Sequence, residues 1–194
     1  MIIATITEYG TDEDSELSSR VLRSVADSFL RRPSVEDKPV RMIAIMASND
    51  LNMMRGMDDP PRCDGALVLL DGNKARFLMS GLAAAYHFEE GRLAHRSKPE
   101  EVSCIGSGVR YEPYMEPVFE LKPGRNAFLT ASRGLAGALD DRAVEEALKA
   151  SETPEQWMER LAALAGPERA FCAVAAFLPD RRPPLFKGFP FIKK

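Results

Sequence analysis

Residues 66–93 read ALVLLDGNKARFLMSGLAAAYHFEEGRL. The apolar run Ala66–Leu70 meets a turn signal at Asp71-Gly72-Asn73, and a second run, Ala75–Met79, follows at once. Two apolar runs separated by so short a polar turn predict a β-hairpin. Ala83–Phe88 turns at Glu90-Gly91 toward Leu93 in the same way, and Pro117–Leu121 turns at Lys122-Pro123-Gly124 into Ala127–Ala131. Connections of this length suit antiparallel neighbours, because a parallel pair needs a crossover of a dozen residues or more. The middle of the chain therefore predicts a run of antiparallel strands.

Outward from this run the periodicity changes. Ile2–Thr7 is apolar and β-branched, as a strand should be. Leu17, Val21, Val25 and Phe29 then recur every fourth residue, which predicts an amphipathic helix closed off by Pro33. A second helix begins near Pro39, carries Ile43, Ala47, Leu51 and Met54 on one stripe and stops at Gly56. Met42, Met46 and Met53 lie beside that stripe and read as core gap-fillers. On the C-terminal side Asp140 caps a helix to about Ala150, and Thr153-Pro154-Glu155-Gln156 is a capping box that opens another, ended by Gly166-Pro167. Ala170–Leu178 is a continuous apolar strand expected at the centre of its sheet. Segregated strands and helices of this order predict an α+β fold and not a parallel one.

The chain has 194 residues, 26 Lys+Arg against 29 Asp+Glu, 45% hydrophobic and 28% charged residues. That suits one globular domain, assigned to 1–179, followed by a basic, aromatic, Pro-rich tail over 180–194 (DRRPPLFKGFPFIKK). The tail carries a net +4, leaving −7 for the domain. Such a domain is not expected to bind nucleic acid, which calls for a basic face. No apolar run approaches the roughly 20 residues of a spanning helix, and Met1-Ile2-Ile3-Ala4 is unlike a secretory leader, so no membrane association and a cytoplasmic location are expected. Cys63, Cys104 and Cys172 are too far apart for a zinc pattern and fit a reducing compartment, with Cys172 expected to be buried. His87, between Tyr86 and Phe88 on a strand, reads as structural.

Several phrases, in order, resemble the metal-dependent Ser/Thr phosphatases of the protein phosphatase 2C (PPM) family, bacterial branch. Ser15–Arg20 resembles the family's G-E-x-A-S segment, ALVLLDGNK (66–74) the hairpin after its G-T-T, and GLAAAYHFEEGRL (81–93) its G-D-S-R-A-Y-x-x-x-x-G-x-L. FELKPGRNAFLTASRG (119–134) is similar to F-x-L-x-P-G-D-x-x-L-L-x-S-D-G, and Leu139–Val144 to the following L-S-D-E-E-I. The resemblance implies a four-layer α-β-β-α sandwich, two antiparallel sheets flanked by helices, with two Mg²⁺ or Mn²⁺ ions between the sheets. It also implies that the family's opening strands have no counterpart before Met1, an N-terminally shortened version of the fold.

At the positions where the resemblance places metal-binding aspartates, this sequence differs. The first aspartate becomes Thr7 or Glu8, the S-D-G aspartate becomes Arg133, and the D-N aspartate becomes Arg169. The family's chemistry needs carboxylates, since hard dications take oxygen ligands and activate water. The expectation is therefore a catalytically inactive pseudophosphatase, without a metal cofactor, that acts by binding a protein partner or by forming a homodimer. Three alternatives stay open at the site. Glu8, Asp12 and Asp14 would serve as substitute ligands of Mg²⁺ or Mn²⁺ in a divergent, active phosphatase. Arg133 and Arg169 would hold an anion in a metal-free phosphate or phosphopeptide sensor. In the third, each arginine pairs with a nearby carboxylate, such as Glu8 or Glu168.

Overall fold

A computed structural model describes residues 1–9, 17–53, 62–97, 103–106, 111–166 and 171–180. Its elements run β1 (Ile2–Tyr9), α1 (Leu17–Arg31), α2 (Asp37–Met53), β2 (Arg62–Asp71), β3 (Lys74–Ser80), β4 (Ala84–Glu89), β5 (Arg92–Ser97), β6 (Tyr114–Met115), β7 (Phe119–Glu120), β8 (Asn126–Ala131), α3 (Arg133–Ala138), α4 (Asp141–Lys149), α5 (Pro154–Ala165) and β9 (Ala173–Leu178). Two antiparallel sheets result. The first has the order β1-β2-β3-β6, with β7 also on β3, and the second the order β5-β4-β8-β9.

The burial pattern explains why the strands are apolar runs without alternation. On β2, Leu67 and Leu69 join Val21, Val25 and Phe29 of α1 and Val40, Ile43 and Ala47 of α2 in one core. The residues between them, Ala66, Val68 and Leu70, meet Phe77, Ala85 and Phe128 in the layer between the sheets. On the second sheet Tyr86, Phe88 and Leu129 pack under Leu135, Val144, Leu148, Trp157 and Leu161 of α3–α5. Both faces of each sheet are thus covered, and the molecule is a four-layer α-β-β-α sandwich, as expected. Thr5 Oγ1 bonds across the middle layer to Thr130 Oγ1 at 2.8 Å.

The caps sit where the sequence puts them. Asp140 accepts from the Ala143 N–H at 2.7 Å and Thr153 from the Gln156 N–H at 3.2 Å. Each satisfies an N–H that a helix start leaves without a partner.

Four expectations are corrected. The run 117–121 and β8 do not form a hairpin: Phe119 and Glu120 pair with Ala75 and Lys74 of β3, while β8 pairs with β4 and β9. The Lys122-Pro123-Gly124 turn therefore carries the chain from one sheet to the other. Strand β9 is an edge strand among the described residues, not a central one. Its apolar character arises because Ala173, Ala175 and Phe177 meet the helices and Ala176 and Leu178 the other sheet. Met42, Met46 and Met53 are exposed, since α2 already fills its contact with Val40, Ile43, Ala44, Ala47 and Leu51. Cys172 is exposed just before β9, whereas Cys63 is buried and Cys104 intermediate. Among the described residues no helix is long and apolar enough to cross a membrane. The tail beyond Asp180 lies outside the described residues.

Candidate functional site

Strand β2 begins at Arg62, four residues before the apolar run that announces it, so Asp64 lies inside a strand. Its register partner on β1 is Thr7, and Glu8 pairs with Cys63. Asp64 is almost fully buried, at 2% exposure. A buried carboxylate must be paired or hydrogen-bonded to be tolerated. Room for it is made by Gly81, just past β3, which has φ +64°: a β carbon there would lie 1.6 Å from Asp64 Oδ1.

The counter-charge comes from the second sheet. At the end of β8, Ser132 is fixed twice to the segment leading into β9: its N–H donates to the Cys172 carbonyl at 2.8 Å, and its hydroxyl accepts from the Cys172 N–H at 3.0 Å. This sets the direction of the next residue, Arg133. Its Nε and Nη2 donate to Asp64 Oδ2 at 3.2 and 3.0 Å. The Cys104 thiol donates to Asp64 Oδ1 at 3.5 Å. One ion pair thereby links the two sheets at this end of the middle layer.

Of the residues singled out in the sequence, Thr7 and Arg133 both converge on Asp64, Thr7 by strand register and Arg133 by hydrogen bonds. The Glu8 side chain, Asp12, Asp14, Glu168 and Arg169 lie outside the described residues. The carboxylate that pairs with Arg133 is Asp64, which was missed because it stands in the polar stretch before Ala66. A signal was present: Cys63-Asp64-Gly65 adjoins an apolar run without a turn of its own. An acid held within a buried strand demands a cation.

The residues described at this end do not fit a pair of dications. Asp64, the one buried acid among the described residues, is already held by a guanidinium. A unit pair about 4 Å apart is worth roughly 4 kcal/mol at an effective dielectric of 20, and a dication placed beside Arg133 would meet about twice that in repulsion.

A second group of ligand-type side chains lies at the other end of β4. One ligand atom each of His87, Glu89 and His95 falls within 4.8 Å of the others, a group able to hold a metal ion. His87 is fully buried, its ring stacked with Phe128 at 4.6 Å and with Phe119 at 5.2 Å. Burial holds its imidazole below the usual histidine range, partly offset by the bond to Asn126. His87 is structural in its packing, as expected, but its neighbours give it more than packing.

No protein-family model and no curated protein matches the chain. Solved structures do. The catalytic domain of the serine/threonine protein phosphatase PstP in complex with two manganese ions matches with a TM-score of 0.69 at 18% identity, over 92% of this chain and 88% of that one. PppA, described as a key regulatory component of the type VI secretion system (T6SS) in Pseudomonas aeruginosa, matches with a TM-score of 0.69 at 16% identity, over 91% and 86%. A bacterial serine phosphatase matches with a TM-score of 0.76 at 13% identity, over 93% and 87%. The chain has the protein phosphatase 2C-like fold. The expectation of no metal cofactor is corrected by two findings: the His87, Glu89 and His95 group, and the two manganese ions of a protein that shares the fold.

Proposed function

We propose that this protein is a phosphatase-fold protein that does not hydrolyse phosphate esters and works by binding, first of all to a second copy of itself. The observation that carries the first half is the Arg133–Asp64 pair. Water activation between the sheets needs anionic ligands around dications. Here Arg133, at the position where the resemblance would put one of those ligands, is a cation and holds a buried carboxylate. The regulatory role stated for PppA in its own system supports a binding function.

Self-association is supported by the edges. Among the described residues β1 and β9 each lack a neighbour on one side, and β9 is apolar and half-exposed, with Val174 open to solvent. An edge of that kind invites pairing, and a two-fold dimer joins like edges. Three free thiols favour a reducing compartment, the bacterial cytoplasm. The phosphate-sensing alternative would require Arg133 to give up Asp64.

Hydrolysis of a generic aryl phosphate with added Mn²⁺ tests the proposal. The expected turnover equals that of the metal blank and is the same in Asp64→Ala. Metal-dependent turnover that disappears in an Asp12→Ala, Asp14→Ala variant would establish the divergent enzyme instead. Light scattering at micromolar concentration is expected to give twice the 21.5 kDa chain mass. A clean monomer would remove the self-association half.

A further inference from the structure

We propose that His87, Glu89 and His95 form a binding site for one late first-row divalent ion, with zinc the ion whose ligand preferences the set matches. Two imidazoles and a carboxylate suit zinc or cobalt, whereas magnesium and manganese prefer all-oxygen sets.

The hydrogen-bond network fixes which nitrogen of His87 is available. The Asn126 amide nitrogen donates to the Lys122 and Gly124 carbonyls at 3.0 and 3.1 Å. Its oxygen therefore faces His87 Nε2, 2.8 Å away, and must accept, so Nε2 carries the proton. That leaves Nδ1 with a bare lone pair, and Nδ1 is buried without a partner. An orphaned buried acceptor is costly unless something coordinates it. A metal-binding histidine usually donates its other N–H to an oxygen that orients the ring, which is what Asn126 does.

The backbone brings the other two ligands to the same place. Glu89 is two residues from His87 on β4 and so shares its face. His95 is the register partner of His87, and the next pair is Phe88 with Leu93, which leaves Ala94 as an extra residue on β5. Such a bulge bends the strand and re-aims the adjacent side chain. His95 stacks on Phe119 at 4.1 Å, so an apolar wall limits solvent on one side. Ligand atoms of a tetrahedral zinc lie about 3.4 Å apart, given bonds of about 2.0–2.2 Å. Closing from 4.8 Å therefore needs a shift of about 1 Å by the exposed His95 and the half-buried Glu89. It also needs a turn of the His95 ring, which lies nearly parallel to that of His87 at 5.5 Å, so that both imidazoles aim at one ion. Lys122, which donates to Glu89 at 2.8 Å and is itself 78% exposed, would swing into solvent.

This site is separate from the cleft. Ala84, at the opposite end of β4 from Glu89, pairs with Ala131, two residues before Arg133. Six strand residues put the two ends about 16 Å apart.

The test is calorimetric titration of the untagged full chain with zinc, together with cobalt absorption spectra. One equivalent is expected to bind without a thiolate charge-transfer band. Each of His95→Ala and Glu89→Gln, both at accessible positions, should weaken binding at least about tenfold. Asp64→Asn should leave binding unchanged, so that failure of this site and failure of the proposed function are read separately. No uptake with excess zinc, unchanged affinity in His95→Ala, a thiolate band, or loss of binding in Asp64→Asn would each overturn the proposal.

Discussion

Alanine in place of Gly81 is expected to cost about 3 kcal/mol or more of stability. Two separate penalties combine there. The backbone sits at φ +64°, where a side chain costs roughly 1 kcal/mol or more. The new methyl would also lie 1.6 Å from Asp64 Oδ1, far inside any contact distance, so Asp64 must leave its place. Its displacement breaks both hydrogen bonds to Arg133 and the thiol contact with Cys104. Urea unfolding measures the loss. A control at Gly72 separates the penalties: it has φ +59° with nothing within 4 Å of a β carbon, so alanine there should pay the backbone cost alone.

The second large effect is an asymmetry between the two ends of the ion pair. Asp64 is 2% exposed and Arg133 is 53% exposed. Removing Arg133 leaves a buried carboxylate with only the Cys104 thiol among the contacts described above. Breaking a fully buried pair costs about 3–5 kcal/mol, and the open side of Arg133 lets water offset part of that, so Arg133→Ala should cost about 2–3 kcal/mol. Removing the charge from Asp64 leaves a guanidinium that water can solvate, and Asp64→Asn should cost only about 1 kcal/mol. The double variant should cost less than the sum of the two. Equal effects at the two positions, or full additivity, would mean the pair does not link the sheets in solution.

The sequence was legible where one local pattern had one structural meaning. The Gly72-Asn73 and Glu90-Gly91 turns produced hairpins because two residues between strands leave the chain no other route. The caps at Asp140 and Thr153 hold because they need only neighbours three residues on. Long-range partners were harder to see. Phe119–Glu120 and β8 look like two arms of a hairpin, yet pairing is decided by backbone bonds to β3 and β4, which no side chain announces. Likewise β9 is apolar enough for a central strand because helices and the opposite sheet cover its faces, while its edge position is a matter of backbone hydrogen bonding. At the site, Arg133 could be found as a departure from a resemblance, whereas Asp64 was marked only by the position of Cys63-Asp64-Gly65 against an apolar run, a fainter signal than a motif. His87 and His95 stand four residues before and four residues after Gly91, a spacing that becomes a cross-strand pair once the turn and the Ala94 bulge are in place.

The central claim is that an arginine–aspartate pair occupies the inter-sheet position where the family resemblance would place two dications. An experimental structure from crystals grown in millimolar Mn²⁺ examines this most directly. Arg133 Nη2 is expected to remain on Asp64 Oδ2 at 3.0 Å. Anomalous peaks for two manganese ions between the sheets, bridged by solvent, with Arg133 turned away from Asp64, would contradict the account.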